Sequence, residues 1–294
     1  MTAPSGAKRR RAPAREEKPQ RAPAPRPSSS RKAPKPRAER RRRRRLSVVY
    51  DIEGPRVRLG IAWFVLAMAA LALGALAVAA VYGATAAFAA AQTTRAWRRK
   101  GVGPDPIVAA VCAAGLSFAA LAGTAVLGAA ILGVVVVCML MVPPAWKAPR
   151  IVVGARTLQC CIWVGGAAAG VVTAYRFEPW AAVALVLCAS AYETGDYIVG
   201  SGASNAWEGP IAGIAAVLVV QFGVAAIGFP PFELPDGLGF AALAAVLCPA
   251  GQIVGSLVLP SVWAPASALR RLDSLLLLAP CWAWAAGLAV TAQP

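Results

Sequence analysis

Two long stretches of this chain, residues 59–94 and 106–146, contain no charged side chain. A transmembrane helix needs roughly 17–25 largely apolar residues, so each stretch is too long for one upright helix and long enough for two. We therefore predict a helical hairpin in each, with turns near Gly74 and Gly123. The chain is expected to be an all-α, polytopic helical membrane protein.

The rest of the chain extends this pattern. We predict a third pair of helices over 157–175 and 179–192, a fourth over 211–228 and 240–259, and a last single span over 272–291. The total is about nine transmembrane helices. These spans are rich in Gly and Ala, which lets helix backbones approach closely inside a membrane.

The net charge of +17 belongs mainly to the N-terminal tail. Residues 1–45 hold 18 of the 30 Lys and Arg residues but only three of the 13 acidic residues. Because this segment has too few apolar side chains to offset the entropy of ordering, we predict a disordered basic tail, followed by a membrane domain over 46–294. Anionic lipid headgroups attract such a tail by about 1 kcal/mol per basic residue near the surface.

Nucleic acid is the competing partner for the tail, since arginines also neutralise phosphates. No aromatic residue is interleaved with these arginines. We therefore favour membrane lipids and expect no nucleic-acid partner.

The basic connections between the predicted spans indicate the orientation. With four hairpins after the tail, the Lys- and Arg-rich segments 95–100, 147–156 and 270–271 all fall on the side of the tail, and the opposite side shows only Arg176. By the positive-inside rule, the N-terminus is cytoplasmic and the C-terminus exterior. We expect a multi-pass protein of the plasma membrane.

The residue types present exclude some chemistry. The sequence has no histidine, which excludes histidine-based catalysis and histidine-ligated metal. Its seven cysteines all lie in apolar runs without metal-ligand spacing, so we interpret them as small buried hydrophobic residues.

Three polar segments at the predicted cytoplasmic side are candidates for a site, residues 193–200, 205–213 and 269–276. Polar groups near a membrane are costly to keep there, so they are often functional. Carboxylates in these segments suit a divalent cation, and arginines beside them suit phosphate oxygens.

Each of these residues also has a structural interpretation. Glu193 and Asp196 would end a span in water, and Asp273 would lie one turn into a helix, where an acid complements the macrodipole. Arg270 and Arg271 would then be anchors at the membrane interface. No single segment decides between the two interpretations.

The residue sequences of these segments and their order along the chain indicate a family more specifically than any single segment does. Residues 192–200 read YETGDYIVG and 204–213 read SNAWEGPIAG, while 251–260 read GQIVGSLVLP and 269–280 read LRRLDSLLLLAP. Together these resemble the motifs of the phosphatidate cytidylyltransferase (CDP-diacylglycerol synthase) family. The basic segment 94–102 is similar to the connection after that family's first hairpin. The likeness is clearest over 190–282.

The resemblance implies a reaction at the cytoplasmic face, the transfer of CMP from CTP to phosphatidate, giving CDP-diacylglycerol and pyrophosphate in phospholipid biosynthesis. It implies Mg²⁺ as cofactor, with CTP and phosphatidate or a related lipid phosphate as partners. The implied residues are Asp273 and Arg271 for catalysis; Arg270, Trp207, Glu208 and Ser256 for substrate; and Glu193, Asp196 and Asp273 for metal.

The departures from the family motifs keep other functions open. Residues that are charged in the family are here Gln252, Leu259, Pro260 and, with reversed sign, Arg270, while Ser204 and Asn205 replace a pair of lysines. The first hypothesis is a divergent, active enzyme. The second is a catalytically inactive relative that binds a lipid or a partner protein, and the third is a small transporter or channel. The third is the weakest, because few ionisable residues lie within the spans. A homodimer is also open.

Overall fold

The computed structural model describes residues 56–140, 148–201, 203, 205, 207–228, 231–232, 236–261 and 264–292. The basic tail and its predicted disorder lie outside these residues. Lys147 of the basic segment 147–156 and Ser204 of the motif segment 204–213 also lie outside them.

The described residues form nine α-helices and one short 3₁₀ turn, without strands. The helices are α1 Arg56–Leu73, α2 Ala75–Arg98, α3 Pro106–Ala122, α4 Thr124–Leu140, α5 Arg150–Phe177, α6 Pro179–Gly200, α7 Glu208–Ile227, α8 Asp236–Val258 and α9 Leu275–Ala292. The 3₁₀ turn, Leu269–Arg271, precedes α9.

Five helices are long and apolar enough to cross a membrane by length and composition, namely α2, α5, α6, α7 and α8. The other four are apolar but shorter, over Arg58–Leu73, Pro106–Ala122, Thr124–Leu140 and Leu275–Thr291. The all-helical architecture and the apolar character of its helices therefore agree with the sequence prediction.

Both predicted hairpin turns are confirmed, and glycine is the reason for each. Gly74 separates α1 from α2 with φ 109°, and Gly123 separates α3 from α4 with φ 124°. Residues other than glycine rarely adopt such positive φ values, so each glycine ends one helix and allows the next to start in a new direction.

The centre of the bundle is α5, which packs against α2, α3, α4, α6 and α9. Small residues make this packing close. A Cβ added at Gly170 would lie 2.6 Å from the carbonyl carbon of Ala279 on α9, so glycine is needed at this crossing. A Cβ at Gly195 of α6 would lie 2.7 Å from the carbonyl oxygen of Ala212 on α7.

Four helix termini meet at one end of the bundle: the ends of α2 and α8 and the starts of α3 and α5. The indole nitrogen of Trp97, near the end of α2, donates to the carbonyl of Val258 at the end of α8 over 2.9 Å. The guanidinium of Arg156 in α5 stacks over the Trp97 ring at 4.3 Å. The backbone nitrogen of Asp105 donates to Oγ1 of Thr157 in α5 over 3.2 Å.

Arg176 lies at the opposite end, where its Nη1 donates to the carbonyl of Ala120 over 3.1 Å. Among the described residues, the basic segments 95–100, 150–156 and 270–271 therefore lie at one end of the bundle and Arg176 at the other, as the sequence predicts.

Four sequence expectations need correction. Helix α5 begins at Arg150 rather than at residue 157, and α6 continues to Gly200 rather than stopping at residue 192. Asp273 lies before α9 rather than one turn inside a helix. Of the seven cysteines, six are buried as expected, but Cys281 is exposed.

Candidate functional site

Polar side chains from three separate parts of the chain converge at the basic end of the bundle. They come from the last turns of α6, the second half of α8, and the turn that leads into α9. We call this group the polar centre. It consists of Tyr192, Glu193, Asp196, Gln252, Ser256, Arg270, Asp273 and Ser274.

The first half of the polar centre joins α6 to α8. The hydroxyl of Tyr192 donates to Oε1 of Gln252, and Nε2 of Gln252 donates to Oδ2 of Asp196, each over 3.3 Å. Tyr192, Gln252 and Asp196 are all buried. Because buried polar groups cost free energy without partners, this chain of bonds fixes the position of the Asp196 carboxylate.

The second half joins α8 and α6 to the turn before α9. Nη1 of Arg270 lies 3.2 Å from Oδ2 of Asp273 and donates to Oγ of Ser256 over 3.4 Å. The hydroxyl of Ser274 donates to Oε1 of Glu193 over 2.7 Å. Glu193 also lies within electrostatic reach of Asp273, Asp196 and Arg271.

The turn can approach α8 because glycines face it. A Cβ added at Gly251 would collide with the carbonyl oxygen of Asp273, and one at Gly255 would lie 2.8 Å from the Cβ of Asp273. Both glycines belong to the motif segment 251–260. Their role is therefore steric, since any side chain would push Asp273 away from α8.

Asp273 is a buried carboxylate with a cationic partner. Its side chain is 6% exposed, whereas that of Arg270 is 23% exposed. Burial raises the pKa of Asp273 to about 6, and the Arg270 guanidinium opposes this rise. The 3.2 Å contact with Arg270 favours the charged form of Asp273 and makes the two side chains an ion pair.

Arg271 points to a different neighbour. A Cβ built at Gly60 of α1 would lie 3.4 Å from Nη1 of Arg271, so this guanidinium packs against the start of the first helix. Since Glu193 is also within its electrostatic reach, Arg271 borders the polar centre on the α1 side.

Trp207 and Glu208 lie at the start of α7 rather than among these side chains. Trp207 is 71% exposed and precedes the helix, and Glu208 is half-buried in its first turn. Of the residues implied by the resemblance, the structure thus brings together Glu193, Asp196, Ser256, Arg270 and Asp273, with Arg271 at the edge.

Sequence reasoning missed the contributions of Gln252, Ser274 and Gln92. Gln252 was seen only as a lost aspartate, yet it connects Tyr192 to Asp196. Gln92 of α2 accepts from the backbone nitrogen of Ala268 over 3.0 Å and so holds the segment before the 3₁₀ turn. For Gln92 and Gln252 the sequence did offer a signal. Each is an amide side chain inside an apolar stretch, and such a group is costly there unless it has hydrogen-bond partners.

The polar centre does not fit the Mg²⁺ site that the resemblance implies. Each of the three carboxylates already contacts another side chain: Asp273 contacts Arg270, Glu193 contacts Ser274, and Asp196 contacts Gln252. Within the part of the chain that the structure describes, no group of three or more Cys, Asp or Glu side chains is placed to hold a metal ion.

Comparison with known proteins gives no relative. No protein-family model, curated protein or solved structure matches the chain. The resemblance to the phosphatidate cytidylyltransferases stays a prediction from the four motif segments.

Proposed function

We propose that this chain is a phosphatidate cytidylyltransferase-like membrane protein whose polar centre binds a phosphorylated lipid of the phosphatidate class. The observation that carries the proposal is the convergence of motif segments that lie far apart in the sequence. Ser274 contacts Glu193, Arg270 contacts Ser256, and Gln252 contacts Asp196. Two neighbouring arginines at a membrane end suit a phosphate headgroup, because guanidinium and phosphate form strong charge-assisted hydrogen bonds.

We also propose that all nine helices cross the plasma membrane, with the tail and the polar centre on the cytoplasmic side. The four shorter helices approach the minimum length for a span, roughly 17 residues. The gathering of Arg95, Arg98, Arg99, Lys100 and Arg156 at the end that carries the polar centre supports this orientation through the positive-inside rule. The site would then face the compartment that contains soluble nucleotides.

Cysteine labelling tests the orientation. In a Cys281→Ser background, which removes the exposed native thiol, we expect Asp236→Cys to react with a membrane-impermeant maleimide in intact cells. Lys100→Cys lies at the opposite end of the bundle and is expected to react only after permeabilisation. Labelling of Lys100→Cys in intact cells would refute the orientation.

Two activities are candidates at this site, and the geometry favours binding without transfer. The family reaction, CMP transfer from CTP to phosphatidate, would use Asp273 and Arg271 as the reacting centre's charged groups. The Arg270–Asp273 ion pair at 3.2 Å favours the alternative, because a carboxylate that already neutralises an arginine is less available for another cation. We therefore place lipid-phosphate binding first and CMP transfer second.

A transfer assay separates these two candidates. Purified protein in detergent is given labelled CTP, phosphatidate and Mg²⁺, with an authentic cytidylyltransferase as positive control. We expect no CDP-diacylglycerol above the level of a protein-free sample. Formation of CDP-diacylglycerol that disappears in Asp273→Asn would instead establish the family reaction.

A further inference from the structure

The polar centre contains a positive charge of its own at the place where a carboxylate would otherwise need a metal ion. Asp273 is buried, and its carboxylate needs a nearby cation to stay charged there. Nη1 of Arg270 supplies that charge at 3.2 Å and reaches Ser256 of α8 at 3.4 Å. One guanidinium thus connects the turn before α9 to α8.

A divalent cation at Asp273 would have to displace this guanidinium or lie beside it. The second choice places like charges within a few ångströms in a partly buried site, where their repulsion is much stronger than in water. The first would leave Arg270 without its contact to the buried carboxylate. Mg²⁺ also prefers near-octahedral oxygen coordination, which one paired carboxylate does not provide.

The guanidinium is suited to a phosphate in a way that the carboxylates are not. Arg270 is 23% exposed, so it is partly accessible, whereas the Asp273 side chain is 6% exposed. Guanidinium binds phosphate oxygens in a planar, forked geometry and stays charged at all physiological pH values. Its 23% exposure puts the guanidinium within reach of a phosphate while it contacts Asp273.

We propose that the Arg270 guanidinium acts as a built-in cation, so that the polar centre binds the phosphate of a lipid without a divalent metal ion. The identity of the ligand, a lipid phosphate, rests on the proposed function. The claim that Arg270 takes the place of a divalent metal ion does not.

Metal binding by the full-length protein tests this claim directly. We expect electron paramagnetic resonance titrations of the purified wild type with Mn²⁺ to show no site tighter than about 1 mM. Arg270→Gln frees Asp273 from its guanidinium and is expected to increase Mn²⁺ affinity at least about tenfold. Arg271→Gln removes the same charge one residue away, leaves the Asp273 contact intact, and is expected to change the affinity less than about threefold.

Arg270→Asp, prepared in Mn²⁺, is a second variant, because it adds a carboxylate beside Asp273 and should strengthen metal binding further. A wild-type Mn²⁺ site in the micromolar range would overturn the inference. So would equal Mn²⁺ affinities for wild type, Arg270→Gln and Arg270→Asp.

Lipid binding supplies the second arm. Binding of phosphatidate to the wild type is expected to change less than about twofold between excess EDTA and millimolar Mg²⁺. A tenfold or larger loss in EDTA would overturn the inference. If the wild type binds no phosphatidate under either condition, the proposed function fails, while the Mn²⁺ titrations still decide whether Arg270 excludes metal.

Discussion

Gly251→Ala is expected to destabilise the protein by about 1–3 kcal/mol and to abolish binding of lipid phosphate, because the added methyl group collides with backbone. A Cβ at this position meets the carbonyl oxygen of Asp273, and the carbonyl oxygen of Ser274 at 3.1 Å. Neither atom is the end of a flexible side chain. The turn before α9 must therefore move away from α8, and Arg270 would then lose its contact with Ser256.

The same helix offers a matched control for this variant. A Cβ added at Gly239 has no atom within 4 Å. Since alanine is favoured over glycine in helices by up to about 1 kcal/mol, Gly239→Ala is expected to be neutral or stabilising. Unfolding can be followed by tryptophan fluorescence during titration with SDS. Equal stability of the two variants would show that α8 and the turn do not pack as described.

Arg270→Ala is expected to cost about 2 kcal/mol of folding free energy. It removes the partner of a buried, ionised carboxylate, which is destabilising because that charge is then left uncompensated. The partial exposure of Arg270 keeps the cost below that of a fully buried pair. If the ion pair is the cause, Arg270→Ala should cost less than about 0.5 kcal/mol when Asp273→Asn is already present.

The four proteins of this double-mutant cycle can be compared in the same SDS titrations. Arg99→Ala is the control, since Arg99 is an exposed arginine at the end of α2. We expect its effect to be within about 0.5 kcal/mol. A cost for Arg270→Ala that is the same with and without Asp273→Asn would refute the ion pair as the cause.

The hairpins could be predicted from the sequence because local physics determines them. An uncharged stretch of more than 35 residues cannot be one span, and glycine is the residue type that allows a sharp change of direction. Gly74 and Gly123 both have positive φ and both separate helices as predicted. The concentration of basic residues at one end could be predicted in the same way, from charge and span counting.

The extent of α6 could not be predicted, because its polar end depends on distant partners. Taken alone, Glu193 and Asp196 look like side chains that leave the membrane for water. In the structure they remain on the helix, since Ser274 and Gln252 bind them from segments about 55 to 80 residues away in the sequence. No local pattern identifies such partners.

The candidate site, too, could be predicted only in part from the sequence. The motif segments indicated which parts of the chain would meet, and five of the implied residues do meet. What the segments did not show is the pairing inside the site. Gln252 was interpreted as a loss of charge and Arg270 as a reversal of charge, whereas both are hydrogen-bonded members of the polar centre.

Headgroup-selective lipid binding tests the central claim most directly. The purified protein is titrated with phosphatidate and, separately, with diacylglycerol of the same acyl chains, and binding is followed by native mass spectrometry. We expect phosphatidate to bind at least about tenfold more tightly, with about a tenfold loss in Arg271→Ala and no loss in the Arg99→Ala control. Equal affinity for phosphatidate and diacylglycerol would contradict a lipid-phosphate site.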